Sequence, residues 1–293
     1  MPNRIDRDAV SRVHGLMQMA SSRLVRGHYA QALKVYLRAQ KLAGSACGTN
    51  SLEMLSIMNG LGMAWKYTGR FARARRCYAR ALVVASRVLQ AGDSQFASLY
   101  HNLGGLEHAR GRFTRAAPLA RRAVRIREKA LGPRHPEVAA DLAVLAAILD
   151  GRRRYRQAEK VYRRALRIFR EAYGPSHRET AIHLGNLAAN REAQGRTAEA
   201  GRLYCLALKM AVSTMGRNAP ETAIIRNNLG QFLAKRGHCK EAEQELREAL
   251  MVLRKGLPAN HPHIRQAERH WRKARSALKT PRRLKINPLS VKY

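Results

Sequence analysis

The chain has 293 residues, 45% hydrophobic and 6% aromatic, ample for a folded core. Lysine and arginine number 56 against 20 acidic residues, a formal net charge of +36, which favours anionic partners: nucleic acid, an acidic protein or a membrane surface. No apolar run reaches the roughly 18 residues of a membrane span, and "MPNRIDRDAV" lacks the apolar stretch of a secretory signal.

Two further bulk features frame the reading. Cys47, Cys77, Cys205 and Cys239 lie far apart with no CxxC pair, which reads as reduced thiols in a cytoplasmic protein. Arginine outnumbers lysine about three to one. G+C-rich coding would also raise Ala, Arg and Gly, and composition does not separate that origin of the charge from a functional one.

After a short lead-in at residues 1–12, a unit of forty-two residues recurs along the chain. In chain order, a turn residue falls at Gly27, Gly69, Gly111, Arg153, Gly195 and Gly237, with Arg153 the exception to glycine. Two residues on stand Tyr29, Phe71, Phe113, Tyr155, Thr197 and Cys239. An alanine follows in every copy, at Ala32, Ala74, Ala116, Ala158, Ala200 and Ala242. Seven residues later comes another, at Ala39, Ala81, Ala123, Ala165, Ala207 and Ala249. Between them Tyr36, Tyr78, Tyr162 and Tyr204 recur, with Ala120 and Leu246 in the remaining copies. Seven residues is about two helical turns, so both alanines and the aromatic share one helix face. Alanine lets backbones approach closely, and the aromatic fills the space beside them.

Upstream of each turn stands Asn-Leu-Gly or a variant: "NLG" at Asn102 and Asn228, "NLA" at Asn186, "GLG" at Gly60. Downstream stands a Pro/Gly phrase: "LGPRHPEVA" from 131, "YGPSHRETA" from 173, "MGRNAPETA" from 215 and a degraded "LPANHPHIR" from 257. Pro136 and Pro220 suit the first turn of a helix, where the missing N–H costs little. Ser51 and Asp93, in register with His135, can cap the helices that follow. Each unit therefore reads as helix, turn, second helix, and the Pro/Gly phrase is the hinge to the next. Beyond the last unit, "HIRQAERHWRKARSALK" places Ile264, Ala267, Trp271 and Ala274 at helical spacing.

These Leu-Gly, Gly-x-Tyr/Phe and paired-alanine signatures resemble the tetratricopeptide repeat. The forty-two-residue period with "LGPxHPE" between hairpins is similar in particular to the repeats of kinesin light chains and their bacterial relatives. The resemblance implies an all-α fold: a right-handed superhelical solenoid of about six hairpins over residues 13–256 and a capping helix at 257–279. A basic flexible tail is expected at 280–293. No heptad region precedes residue 13, so the motor-binding coiled coil of light chains is not expected.

In such arrays first helices line a concave groove and second helices form the convex back. By that assignment the first-helix windows of units two to six (55–68, 97–110, 139–152, 181–194, 223–236) carry seven basic and four acidic residues. The turn-plus-second-helix windows (69–88, 111–130, 153–172, 195–214, 237–256) carry 28 basic and eight acidic residues. The positive charge belongs to the back. Arg80, Arg122 and Arg164 share one repeat position there and are expected to face solvent, with Arg121, Arg163 and Arg167 adding to the middle units. A solvated arginine-rich face and an anion-binding face remain alternatives.

The groove positions carry Asn59, His101, Asn102, His108, Asn186, Asn227, Asn228 and Gln231. The resemblance implies that the asparagine before the leucine hydrogen-bonds the backbone of an extended peptide; Asn102, Asn186 and Asn228 match it, whereas Gly60 and Val144 depart. Amides donate and accept, which suits backbone recognition. The other reading is that these asparagines hold the hairpin turns. His101 and His108 lie two turns apart with no third ligand nearby, so they read as polar groove lining rather than metal ligands. "GLG" at Gly60 follows no strand and is no nucleotide loop. The expectation is a cytoplasmic scaffold, not an enzyme, without metal or cofactor, that holds a partner protein or peptide in its groove. The alternative is nucleic-acid or anionic-surface binding through the arginine-rich back.

Overall fold

The computed structural model describes residues 7–279; the tail expected at 280–293 and residues 1–6 lie outside them. The described residues form α-helices joined by turns and contain no strand. They divide into two compact units, one ending at Gly174 and the other beginning at Pro175. The first unit holds α1 (Arg7–Val25), α2 (Tyr29–Ala46), α3 (Leu52–Tyr67), α4 (Phe71–Val88), α5 (Ser94–Ala109), α6 (Phe113–Leu131), α7 (Pro136–Gly151) and α8 (Tyr155–Tyr173). The second holds α9 (Arg178–Ala193), α10 (Thr197–Met215), α11 (Pro220–Lys235), α12 (Cys239–Gly256) and α13 (Pro262–Lys279).

In both units each odd-numbered helix packs against the next even-numbered one as a hairpin, and each hairpin packs against its successor. First helices also touch one another, α1 to α3 to α5 to α7 in one unit and α9 to α11 to α13 in the other. They therefore line one face of each unit. This is an all-α helical-repeat fold, as the period implies.

Packing explains the recurring residues. Both alanines of every copy are 0% exposed, at the points where two helices approach most closely. Tyr36, Tyr78, Tyr162 and Tyr204 are buried beside them, as are Ala120 and Leu246 where the ring is absent. Tyr78 lies so close to Gly62 that a Cβ there would run into the ring. The Leu-Gly signature is thus a requirement for close approach.

Capping accounts for the punctuation. The Ser51 hydroxyl accepts from the Met54 N–H at 3.1 Å, and Asp93 accepts from Gln95 N–H at 2.7 Å. Nδ1 of His135, His177 and His261 accepts from the N–H two residues on, at 3.2, 3.3 and 3.2 Å. Each satisfies an amide that a helix start would otherwise leave unpaired. Within the hairpins the turn glycines adopt positive φ, and Arg153 takes the same left-handed conformation at φ 58°. Chain direction overrides residue preference there.

Helix α13 lies against α12 and α11, in the position a further first helix would occupy. Ile264, Ala267 and Ala274 are buried, and the Trp271 indole N–H donates to Glu243 at 2.8 Å. It covers the last apolar face of the second unit, as solenoid ends require.

Candidate functional site

On the first-helix face of the first unit, Asn102 on α5 donates its amide to the Asn59 side chain on α3 at 2.8 Å. His101, beside it, places Nδ1 2.6 Å from Asp141 Oδ1 on α7. These bonds tie successive first helices together. Asp141 is 2% exposed and also accepts from the Arg127 guanidinium of α6 at 3.2 Å. Arg127 reaches further to Glu137 at 2.7 Å, the Ser98 hydroxyl at 3.0 Å and the Ser94 carbonyl at 3.1 Å. Each nitrogen of the buried guanidinium thus has an acceptor, as burial of a charge demands. His108 packs edge-on to Phe113, and burial pushes its imidazole below the ordinary value, with nearby Lys66 adding to the effect. A neutral ring results, suited to hydrogen bonding in either direction.

In the second unit the same register carries Asn186 and Asn228. Asn186 lies 3.3 Å from His183 Nδ1 on its own helix. Asn228 is half-buried and its amide has no hydrogen-bond partner among the described residues. Asn227 and Gln231 are occupied differently: both bond His270 of α13, the Asn227 contact at 3.1 Å. Lys235 spans from α11 to Glu192 of α9 at 2.8 Å. The eight groove residues therefore lie on first helices in two separate sets. Within them, the Asn59–Asn102 pair and the Asn227–Gln231 pair joined through His270 are brought together. No bond from Asn102 or Asn186 runs to a hairpin turn; their partners are Asn59 and His183.

The second-helix arginines are not alike. Arg80 is exposed and has no ion-pair partner among the described residues. Arg122 is exposed but lies over the Tyr100 ring at 4.4 Å. Arg164 differs from the expectation that it faces solvent. It is half-buried, because its guanidinium is drawn down to Glu128 at 2.5 Å and the Pro133 carbonyl at 3.3 Å. Arg163 pairs with Glu159 one turn earlier at 3.2 Å, while Arg121 and Arg167 are exposed. Arg127, counted with the back by its position in sequence, turns inward to Asp141.

Three side chains of these networks were not marked out by the sequence. Asp141 was marked only by being a lone acid in the apolar run "AADLAVLAAI". Arg127 was hidden among the arginines of α6. His270 was masked because α13 read as a cap, although its register matches Asn228.

No group of three His, Cys, Asp or Glu that could hold a metal occurs among the described residues. Burial holds the Cys47, Cys77 and Cys205 thiols above their ordinary values, which keeps them protonated and weakly nucleophilic. No helix among the described residues is long and apolar enough to cross a membrane.

The sequence profile of the tetratricopeptide repeat matches residues 95–171, 145–213 and 179–255, and a second profile of that description matches 54–94. Comparison with the curated proteins finds no match. Among solved structures, a putative kinesin light chain with nearly identical TPR-like repeats from Podospora anserina is 19% identical. It has a TM-score of 0.54, covering 69% of this chain and 96% of that one. BtubC (BKLC) from P. vanneervenii is also 19% identical with a TM-score of 0.54, covering 96% and 98%. A Rap protein complexed with competence and sporulation factor is 16% identical with a TM-score of 0.60, covering 92% and 75%. At these identities the likeness is one of fold.

Proposed function

The chain belongs to the tetratricopeptide repeat family, and from that premise we propose that it is a protein-interaction scaffold whose first-helix face holds an extended peptide of a partner. The observation that carries the reading is the pair Asn186 and Asn228. They stand at one register position on the neighbouring helices α9 and α11, both half-buried, and the Asn228 amide has no partner among the described residues. A half-buried amide without a partner has already lost part of its hydration, so a peptide N–H or C=O that meets it gains a bond at reduced desolvation cost. The Rap structure in complex with a Phr* peptide, similar in fold with a TM-score of 0.59 at 14% identity, supports peptide capture as a use of such an array.

The alternative, nucleic-acid or anionic-surface binding through the second helices, has less to support it. Nucleic acid would have to use the second-helix arginines, and two of the three that share the ladder position, Arg122 and Arg164, are engaged within the protein. We propose no catalytic step, and we place the scaffold in the cytoplasm on the strength of its separated thiols.

Affinity capture of partners from lysate, with and without nuclease, tests the proposal. Protein partners that persist after nuclease treatment are the expected result. Partners lost together with RNA or DNA would contradict it.

A further inference from the structure

The forty-two-residue register allows one slot to be compared from layer to layer. It lies on the first helix, facing the second helices, and holds Met58 in α3, Tyr100 in α5, Leu142 in α7, Leu184 in α9 and Arg226 in α11. In the α5 layer the Tyr100 ring fills the slot and carries the Arg122 guanidinium above it at 4.4 Å. In the α11 layer Arg226 fills it, 7% exposed, and meets Glu245 and Glu248 of α12, both at 2.7 Å. Each of these slots is closed from within. Leu142, like Met58 and Leu184, has neither the ring nor the charge, and beside it a cleft of about 660 Å³ lies between α6 and α8.

The cleft joins two kinds of surface. Val124, Leu142, Leu145 and Val161 supply aliphatic walls, and Arg121, Arg125, Lys160 and Arg164 surround them. Arg164 is held by Glu128. No carboxylate of the described residues pairs with Arg121, Arg125 or Lys160, all of them exposed. The register positions of Val161 and Arg164 are those that Glu245 and Glu248 occupy in the second unit. Where the α11 layer supplies two carboxylates, the α7 layer has a valine and an arginine.

We propose that this cleft docks an acidic amphipathic segment of a partner protein. Its carboxylates pair with Arg121, Arg125 and Lys160, and an apolar side chain rests on Leu142 and Leu145. Charge complementarity identifies the acid, and the aliphatic walls identify the apolar residue. The volume lies within the range of about 300–1,000 Å³ typical of ligand clefts. Nucleic acid fits less well, because bases are held by stacking on rings and the cleft lining has none. The site is separate from the first-helix groove, and neither proposal rests on the other.

The test is a fluorescence anisotropy titration of the full chain at roughly physiological salt. Three probes are compared: a labelled helical peptide with glutamates beside a leucine stripe, the same peptide with glutamine for leucine, and a single-stranded oligonucleotide of equal charge. The leucine peptide should bind about ten-fold or more tightly than either control, the effect of seating an apolar anchor. Leu142→Tyr, which places the α5-layer residue in the slot, should abolish that advantage. Arg121→Glu with Arg125→Glu, both on the surface, should do the same and decides the matter if Leu142→Tyr does not fold. Asn186→Ala with Asn228→Ala should leave this binding unchanged. Equal binding of the three probes would overturn the proposal. So would an equal loss from the charge-matched pair Arg202→Glu and Lys209→Glu on α10.

Discussion

His101 Nδ1 on α5 lies 2.6 Å from Asp141 Oδ1 on α7, a bond between first helices of successive hairpins. Its acid is buried, and Arg127 holds the other oxygen at 3.2 Å. Removing the carboxylate would leave a guanidinium that is 5% exposed with part of its counter-charge gone. Asp141→Ala should therefore cost about 3–5 kcal/mol, the penalty for breaking a buried pair. Arg163→Ala, which breaks an ion pair whose arginine side chain is 61% exposed, should cost less than about 1 kcal/mol. Denaturant midpoints would measure both. Similar losses would show that the Asp141 network does not hold the hairpins.

Arg153 stands where the other hairpin turns of the array have glycine, at φ 58°. The left-handed conformation costs an L residue roughly 1–2 kcal/mol, and glycine gives back about 0.5–1 kcal/mol through the freedom of its unfolded chain. Arg153→Gly should stabilise the protein by about 0.5–1 kcal/mol. Arg153→Val, with a branched Cβ, should destabilise it. Thermal melting of the two variants side by side is the check, and a shift in the opposite order would contradict the turn geometry.

Ala165 is 0% exposed in α8, with no room for a longer side chain. Ala165→Arg should disrupt the hairpin by overpacking and by burying charge, a loss of several kcal/mol or about 3 at the least. Circular dichroism at rising temperature would show it. An unchanged melting temperature would mean that the buried face of α8 lies elsewhere.

Such positions were legible because one physical demand recurs at one spacing. A close helix contact admits little besides alanine, and a left-handed turn favours glycine, so both leave a period in the text. Helix identity, the hairpin pairing and the Ser51 and Asp93 caps followed from that period. Side-chain partnerships did not, because they depend on single departures from it. Asp141 stands where Leu99 and Ile225 stand in other copies, and Leu142 where Tyr100 and Arg226 stand. The acid buries an ion pair yet reads as an isolated substitution, and the leucine, shared with Leu184, gives no sign of the cleft beside it. Arg164 shows the same limit: its register matches Arg80, but Glu128 draws it inward.

His261 caps α13 through Nδ1, which must be unprotonated to accept the His263 N–H. Burial lowers its imidazole from the ordinary value to about 4, and His263 and Arg265 beside it add to the effect. The unfolded chain, with a histidine value of about 6.5, therefore takes up the proton first as the pH falls. The stabilising contribution is complete above about pH 6.5 and is lost as the pH falls through about 4. His261→Asn keeps a capping acceptor without the titration. Amide exchange of α13 should accelerate between neutral and acidic pH in the parent chain, and by a smaller factor in His261→Asn. Equal acceleration in both would remove His261 from the account.

The groove reading rests on Asn186 and Asn228, and their joint replacement by alanine tests it most directly. Each lost amide removes hydrogen bonds to a peptide backbone, worth about 0.5–1.5 kcal/mol net apiece. A partner captured by the parent chain should bind the double variant roughly ten-fold more weakly, with the melting temperature unchanged. Undiminished binding, or a loss of binding that tracks an equal loss of thermal stability, would contradict the account.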